Sequence, residues 1–270
     1  MSVLALGSAL SKRTDGVCPV QRNEIGMAKH HDPSGSYQTA PLAETFGIEV
    51  TGVDLQALDE PSATRLYRDF VNASVMCVRN QALQPEAFVR FARHFGDPIE
   101  QIYGQFNLPS YPEIGLVTSE DTFKADGGIR QIRGTSWHTD ASYFEHPPKA
   151  TMLHAEVVPP VGGDTQFVST AAAYATLPSA TQERLRTLVA IHNYESSRSP
   201  RKLIKRSEDQ IARFAEGTRH PLVRVNDDNG RPALYLNPIR IENIDGLERT
   251  ESDSLLDELA AHCLQESFQY

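Results

Sequence analysis

The chain has 270 residues, of which 40% are hydrophobic and 23% charged, values that are ordinary for a globular protein with one substantial core. Its formal net charge of −9 at pH 7 disfavours nucleic acid as a partner, because neutralising phosphates requires clustered Lys and Arg. The cysteines Cys18, Cys77 and Cys263 are too widely spaced to indicate a disulfide framework or a zinc site, and no apolar run approaches the ~20 residues of a membrane span.

The first 36 residues differ from the rest of the chain. They lack hydrophobic periodicity, and we expect residues 1–36 to form a disordered extension to a single domain at 37–270. The apolar run Val3–Leu6 is short and has no basic residue before it, which argues against a signal peptide. We therefore expect a cytoplasmic protein without a membrane partner, and Met27 stays open as an alternative start.

Strands and helices alternate in the first part of the predicted domain. Residues 47–51 and 75–78 have the composition of strands, and helices are predicted to begin at Pro61 and Pro85, because proline suits the first turn of a helix. The stretch 98–136 is rich in Gly, Pro and polar residues, and we expect it to form long loops that serve as a lid or as binding loops.

The second half of the domain is predicted to contain more strand than helix. A polar loop between two apolar runs indicates a hairpin, and a capped apolar stripe indicates a final helix. Periodicity alone therefore predicts an α+β fold. The predicted elements are strands at 150–158, 165–168, 220–225 and 233–237, a hairpin loop at 226–230, a helix from Pro178, and a helix at 250–263 capped by Thr250 or Ser252.

The residues that most clearly indicate chemistry are His138 and Asp140. In an extended segment, side chains two positions apart point to the same face, so an imidazole nitrogen and a carboxylate oxygen can converge on one ion. Two histidines and one carboxylate are typical of a non-haem Fe(II) centre that keeps positions open for a cosubstrate and oxygen. A His-x-Asp step alone is also common in polar surface turns, so its surroundings must decide between the two interpretations.

Several blocks of sequence around this step resemble the taurine dioxygenase and 2,4-dichlorophenoxyacetate dioxygenase family (TauD/TfdA). The blocks are colinear and cover about residues 37–270, which is more specific than any single motif. In chain order they are Arg79-Asn80-Gln81 with Phe91–Gly96, Trp137–Phe144 with Pro147-Pro148, Val158–Thr165, and His220–Arg224 with Gly230-Arg231 and Leu234–Leu236.

The resemblance implies a mainly β fold, the double-stranded β-helix (jelly roll, clavaminate synthase-like) with inserted helices. It also implies an Fe(II)- and 2-oxoglutarate-dependent dioxygenase that hydroxylates a small organic substrate and releases succinate and CO2. His138 and Asp140 match the first two iron ligands, and Thr165 matches the threonine that hydrogen-bonds 2-oxoglutarate. The segment around Arg198 resembles the herbicide-degrading branch, so Arg198 is a candidate for binding an anionic substrate.

The second half of the family's site is not evident in the sequence. The second iron-binding histidine and the arginine that binds 2-oxoglutarate are expected after a Trp-Asp-Asn-Arg-like stretch, and residues 266–270 resemble the segment just before it. We therefore expect the domain to be incomplete at its C-terminus, and residues 1–270 alone to lack oxygenase activity and to aggregate through an unpaired sheet edge. The alternative to an oxygenase is a truncated, catalytically inactive member of the family, either a partial metal binder or a non-functional gene product. His220 would be the first residue to test as a replacement ligand, although it matches a non-ligand position.

The expected partners are a small anionic organic substrate and O2, and a homo-oligomer is left open. Residues 99–103 stand where taurine dioxygenases carry a substrate-binding histidine, and they contain none, which argues against taurine. Small carboxylates are therefore the favoured substrate class.

Overall fold

The chain forms a mixed fold in which strands and short helices alternate. A computed structural model describes residues 2–7, 37–100, 106–118, 123–124, 130–131, 136–199 and 217–270. The strands, in chain order, are β1 (Ser2–Gly7), β2 (Gln38–Pro41), β3 (Ile48–Thr51), β4 (Val75–Arg79), β5 (Asn107–Leu108), β6 (Tyr111–Gly115), β7 (Phe123–Lys124), β8 (Arg130–Gln131), β9 (Ala150–Ala155), β10 (Val189–His192), β11 (Thr218–Pro221), β12 (Val223–Val225), β13 (Pro232–Leu234) and β14 (Ile241–Ile244). The α-helices are α1 (Glu60–Ala73), α2 (Pro85–Ala92), α3 (Thr170–Ala175), α4 (Ser179–Arg186) and α5 (Arg249–Cys263), and short 3-10 helices cover Leu55–Ala57 and Glu266–Phe268.

The chain divides into two compact units, and each is assembled from separate stretches of sequence. The first, which we call the parallel-sheet unit, combines residues 2–98 with 150–165. The second, which we call the motif unit because it contains His138 and Asp140, combines residues 99–149 with 166–270. Each unit contains both helix and strand, so the mixed α and β composition predicted from periodicity is confirmed.

The parallel-sheet unit is built on a five-stranded sheet in the order β2-β3-β4-β1-β9. Strand β1 pairs in parallel with β4 on one side and β9 on the other, and β3 is also parallel to β4, whereas β2 is antiparallel to β3. Residues 2–7 therefore depart from the disorder expected of the extension, and residues 8–36 lie outside the described part of the chain. A continuous apolar run such as Val3–Leu6 is typical of a strand with parallel neighbours on both sides.

Helix α1 begins at Glu60, one residue before the predicted start. Asp59 caps it, because the Asp59 carboxylate accepts a hydrogen bond from the backbone N–H of Ser62 at 2.8 Å, and Pro61 lies in the first turn. The helix ends at Ala73, and the next residue, Ser74, has a φ of 68° in the left-handed region. The core of this unit contains Tyr37, Val50, Leu55, Leu66, Phe70, Val71, Met76, Val78, Leu83, Ala87, Phe91 and Phe95.

Gln81 ties the end of β4 to the segment before α1. It is 3% exposed, and its Oε1 accepts a hydrogen bond from the N–H of Leu55 at 3.0 Å. Its Nε2 donates to the carbonyl oxygens of Val53 and Arg79, both at 2.8 Å. The family-like Arg79-Asn80-Gln81 block is therefore explained by structure, because one amide satisfies three backbone groups.

Replacing Gln81 by leucine should lower the free energy of unfolding by about 2 kcal/mol. The side chain keeps a similar size, but buried backbone groups lose their partners, which costs ~1–3 kcal/mol for a neutral group. The free energy of unfolding is measured in urea for Gln81→Leu and for a control variant, Gln84→Leu. Gln84 is a suitable control because it is exposed and its side chain makes no capping hydrogen bond to α2. Equal stability of the two variants would show that the Gln81 contacts contribute nothing.

The motif unit contains a three-stranded antiparallel sheet in the order β11-β10-β14 and the antiparallel hairpin β12-β13. The hairpin confirms the prediction of two strands around the polar loop at 226–230. Helix α3 packs on β13 and helix α5 on β14. The core of this unit contains Ala173, Tyr174, Leu185, Ala190, Leu222, Val223, Leu234, Ile241, Ile244, Leu256, Leu259, Cys263 and Phe268.

The strand predicted at 165–168 is wrong. Val168 makes only an isolated antiparallel bridge to Gln269, and the chain then turns directly into α3. Ser169 caps this helix, since its Oγ accepts a hydrogen bond from the N–H of Ala172 at 3.1 Å.

The final helix is confirmed at Arg249–Cys263, but its predicted caps are wrong. Its N-cap residue is Glu248, whose side chain makes no capping hydrogen bond. Ser252 is instead buried, and its Oγ accepts a hydrogen bond from the N–H of Ile244 at 2.8 Å. Ser252 thus ties α5 to β14.

The stretch predicted as long loops at 98–136 contains the short antiparallel pairs β5-β6 and β7-β8. The remainder of it includes residues outside the described ranges, so its predicted function as a lid or binding loop stays a prediction. Within the ranges that the structure describes, no helix combines the length and the apolar character needed to cross a membrane.

Candidate metal centre

His138 and Asp140 lie side by side in the motif unit. The His138 Nε2 atom is 3.2 Å from Asp140 Oδ1, and the two side chains are 34% and 43% exposed. The sequence prediction that these donors converge on one point therefore agrees with their placement. Their partial exposure leaves the pair accessible from solvent.

The imidazole of His138 is oriented by its other nitrogen. His138 Nδ1 lies 2.7 Å from the carbonyl oxygen of Ser136. A carbonyl can only accept, so Nδ1 carries the hydrogen and donates it. In neutral His138 the Nε2 atom is then an acceptor that faces the acceptor Oδ1 of Asp140. Two acceptors at this distance require a proton or a cation between them. The hydrogen bond from Nδ1–H to a carbonyl is the usual arrangement of a metal-binding histidine.

The spacing of the two donors also fits a divalent metal ion. Ligand atoms at about 2.1 Å from an ion and at right angles to each other are about 3.0 Å apart. The observed 3.2 Å between Nε2 and Oδ1 is close to that value. One imidazole nitrogen and one carboxylate oxygen are donors that suit Fe(II). The residues present therefore fit part of an Fe(II) site.

The segment that carries the pair is a loop and not the predicted extended strand. Residues 137–139 have no regular structure, and a turn begins at Asp140. Ala141 has a φ of 50°, in the left-handed region, and the N–H of Phe144 donates to the carbonyl oxygen of Ala141 at 3.0 Å. The donors therefore converge in irregular backbone, and the turn bends the chain directly after Asp140.

Three side chains from elsewhere in the motif unit hold the backbone of this loop. Asn237 Nδ2 donates to the carbonyl oxygen of Thr139 at 2.6 Å. Thr218 Oγ1 donates to the carbonyl oxygen of Tyr143 at 2.7 Å, and His220 Nε2 donates to that of Phe144 at 2.9 Å. The loop is therefore fixed to β11 and to the segment after β13.

A third protein ligand does not accompany the pair in the described part of the chain. Among those residues, no group of three or more His, Cys, Asp and Glu side chains could hold a metal ion. His220 uses Nε2 to bind the Phe144 carbonyl, which is consistent with its match to a non-ligand position.

Comparison with known proteins decides the family. The sequence model for "Taurine catabolism dioxygenase TauD, TfdA family" matches residues 38–270. The chain belongs to the TauD/TfdA family. The resemblance seen in the separate sequence blocks is thereby confirmed over almost the whole range expected for it.

Two curated members of the TauD/TfdA family illustrate the relationship. The "(S)-phenoxypropionate/alpha-ketoglutarate-dioxygenase" of Sphingobium herbicidovorans is 32% identical over 235 residues, which cover 84% of this chain and 79% of the relative. The "Alpha-ketoglutarate-dependent 2,4-dichlorophenoxyacetate dioxygenase" of Cupriavidus pinatubonensis is 33% identical over 241 residues, which cover 85% of this chain and 83% of the relative.

A solved member of the TauD/TfdA family shares the fold. A taurine dioxygenase from Burkholderia xenovorans superposes with a TM-score of 0.67 and 27% sequence identity, covering 87% of this chain and 76% of the other. Similarity over that share of the chain extends well beyond the sequence around His138.

Thr165, the candidate for binding 2-oxoglutarate, lies in the parallel-sheet unit at the end of an exposed segment. Strand β9 ends at Ala155, earlier than predicted, and residues 156–166 are exposed. Gly163 has a φ of 78°, and an added Cβ there would lie 3.2 Å from Pro159 Cγ. The turn before Thr165 thus requires glycine. The function of Thr165 itself stays a prediction.

Arg198, the candidate for binding an anionic substrate, is paired with two carboxylates of α5. Its guanidinium contacts Asp253 through Nη1 and Asp257 through Nη2, the latter at 2.5 Å. The pKa of Asp253 lies below its usual range, mainly because its carboxylate accepts a hydrogen bond from Arg249. The hydrogen bond from Arg198 lowers it further. An anion could bind Arg198 only by competing with these carboxylates, so its predicted function requires an exchange of partners.

A group of buried rings was missed in the sequence. His192 is 0% exposed, and its ring centroid is 5.3 Å from that of Tyr235, in a stacked arrangement, and 5.2 Å from that of His220. Neither nitrogen of His192 has a hydrogen-bond partner among the described residues. Arg224 lies over the Tyr235 ring, 4.7 Å from its centroid. The segments that carry these rings resembled the family, but no local signal indicated that the rings meet.

Proposed function

We propose that the chain is an Fe(II)- and 2-oxoglutarate-dependent dioxygenase that hydroxylates a small organic anion, with release of succinate and CO2. The observation that carries the proposal is the closeness of an imidazole nitrogen and a carboxylate oxygen, His138 Nε2 and Asp140 Oδ1, which lie 3.2 Å apart. Family membership supports it, since the matched relatives are named as alpha-ketoglutarate-dependent dioxygenases.

The residues of this chain would contribute binding and orientation. His138 and Asp140 would hold Fe(II), and the Nδ1–H bond to the Ser136 carbonyl would keep His138 in the correct tautomer and ring orientation. Thr165 would hydrogen-bond a carboxylate of 2-oxoglutarate. The bound iron and 2-oxoglutarate would supply the activation of O2 and the oxidation of the substrate C–H bond.

The proposed substrate class is a small carboxylate or sulfonate. The two curated relatives are named for phenoxypropionate and 2,4-dichlorophenoxyacetate, and the solved relative for taurine, each of which carries an acid group. We also infer that the antiparallel strands of the motif unit are part of the family's double-stranded β-helix, since this part lies within the family match.

The proposal is tested first by metal binding, which does not require turnover. Residues 1–270 are titrated with Mn(II), a redox-stable ion with ligand preferences close to those of Fe(II), and free Mn(II) is counted by electron paramagnetic resonance. We expect saturable binding that is lost in His138→Ala. Binding that survives this change would place the metal elsewhere and contradict the assignment.

Activity is tested with Fe(II), ascorbate, 2-oxoglutarate and a panel of phenoxyacetate, an alkylsulfonate and an alkyl sulfate. Succinate is measured for residues 1–270 and for the same residues joined to the segment that follows the matched residues in the 2,4-dichlorophenoxyacetate relative. The joined protein should form succinate only with iron, and faster with one of the anions. No iron-dependent succinate from either protein would favour the alternative of an inactive family member.

The function of Thr165 is tested in the form that turns over. Thr165→Val should raise the Michaelis constant for 2-oxoglutarate about tenfold, because a hydrogen bond to a charged group contributes ~1.5–3 kcal/mol. Steady-state rates against 2-oxoglutarate concentration measure the change. Thr151→Val is the matched control, since Thr151 lies in β9 of the same unit. An unchanged constant for Thr165→Val would remove this residue from the site.

A further inference from the structure

We propose that Asn237 is a positioning residue for the metal pair, because it holds the peptide group that joins the two candidate ligands. Its side-chain amide binds the carbonyl oxygen of Thr139, the residue between His138 and Asp140. The inference rests on the proposed function, since orientation of the pair affects a metal ion only if the pair binds one.

The contacts of Asn237 determine which way its amide points. Nδ2 donates to the Thr139 carbonyl at 2.6 Å and to Ser142 Oγ at 2.8 Å. A carbonyl oxygen only accepts, so the NH2 group must face Thr139, and the reverse orientation would set two oxygens against each other. Asn237 and Ser142 are both 0% exposed, so no solvent competes for these bonds.

The position of the bond in the loop explains its effect on the ligands. The Thr139 carbonyl belongs to the peptide plane that leads into Asp140, so fixing this oxygen limits the directions in which the Asp140 side chain can leave the backbone. The next residue, Ala141, has a left-handed φ of 50°. That conformation costs an L-residue ~1–2 kcal/mol and persists only where surrounding contacts impose it.

Asn237 itself is held rigidly. Its backbone carbonyl oxygen accepts hydrogen bonds from the backbone N–H groups of Arg240 at 3.0 Å and Ile241 at 2.9 Å, which close the turn before β14. The partly exposed ligand pair is therefore fixed to a buried turn of the core. Thr218 and His220 act further along the loop, at Tyr143 and Phe144, so Asn237 is the anchor on the side of the ligands.

The test compares Asn237→Ala with Ser252→Ala in residues 1–270. Both changes remove a buried hydrogen bond within the motif unit, but Ser252 binds Ile244 on β14. We expect Asn237→Ala to weaken Mn(II) binding by tenfold or more, the scale seen when a partner of a metal ligand is removed. Ser252→Ala should lower the unfolding temperature without changing the Mn(II) dissociation constant.

A second readout reports on the ring of His138 directly. In protein labelled with ¹⁵N-histidine, the imidazole ¹⁵N shifts of His138 should show the Nδ1–H tautomer, and Asn237→Ala should shift them toward a mixture of tautomers. His138→Gln assigns the signals. Ser252→Ala should leave them unchanged, because a loss of stability alone does not alter the tautomer of a folded protein.

The outcomes separate the inference from the proposed function. Loss of Mn(II) binding in His138→Ala with an unchanged constant in Asn237→Ala would overturn the inference and leave the metal assignment intact. Equal weakening by Asn237→Ala and Ser252→Ala would also overturn it, as a general effect of stability. Should Asn237→Ala not fold, Asn237→Ser is judged by the same criteria, with weaker Mn(II) binding expected because its shorter side chain cannot reach both acceptors.

Discussion

Replacing Asp140 by alanine should abolish Mn(II) binding and, in the form of the protein that turns over 2-oxoglutarate, lower succinate formation by ~100-fold or more. The carboxylate is one of the two donors 3.2 Å apart, and its loss leaves a single imidazole. A carboxylate also sets how many positions around the ion stay open, so the remaining site would differ in geometry as well as in affinity.

Asp140→Ala is measured beside Asp140→Asn and Asp227→Ala. The amide keeps the size of the side chain but not its charge, so Asp140→Asn should bind Mn(II) weakly. Asp227 is exposed in the β12-β13 hairpin loop, and its removal makes the same change in net charge away from the pair. Normal Mn(II) binding and succinate formation by Asp140→Ala would refute the assignment of Asp140 as a ligand.

The proximity of His138 and Asp140 could be predicted from sequence, whereas their local conformation could not. A His-x-Asp step is a local pattern, and the colinear blocks around it limited its interpretation to one family. The left-handed conformation of Ala141 could not be predicted, because an alanine side chain does not favour it. The loop that contains Ala141 is held by Asn237, which is 98 residues away in sequence from Thr139, whose carbonyl oxygen it binds.

The same limit applies to single polar residues within the fold. Ser252 near a helix start was predicted as a cap, but a serine hydroxyl serves equally well as a buried acceptor, and the contact with Ile244 decides between the two. Arg198 was predicted to bind an anion, and the structure places two carboxylates of α5 against it. Sequence identifies the chemical group in each case, whereas its partner depends on tertiary packing.

Strand β1 shows why residues 2–7 carry no local signal of their pairing. A run of four apolar residues within a polar segment gives no periodicity to distinguish strand from disorder. Its pairing with β4 and β9 joins residues that are far apart in the chain. Such long-range pairing leaves no local signal, in contrast to the β12-β13 hairpin, whose polar loop identified it.

The buried histidine of the motif unit predicts how stability depends on pH. Burial, with the nearby His220 and Arg224, lowers the pKa of His192 to about 3. In the unfolded chain the same group has a pKa of about 6.5. Between these values the unfolded state binds a proton that the folded state does not, so the free energy of unfolding falls as the pH falls from about 6.5 toward 3.

The chain should therefore lose ~3 kcal/mol of stability between pH 7 and pH 4 through His192 alone, and His192→Phe should not show this loss. Phenylalanine can keep the stacking on Tyr235, whose ring centroid is 5.3 Å from that of His192, but cannot take up a proton. Urea unfolding at both pH values gives the difference between wild type and variant, in which the titration of groups that do not interact with His192 cancels. His146→Gln, at an exposed position, should behave as wild type. The same loss of stability in His192→Phe as in wild type would show that the proton is taken up elsewhere.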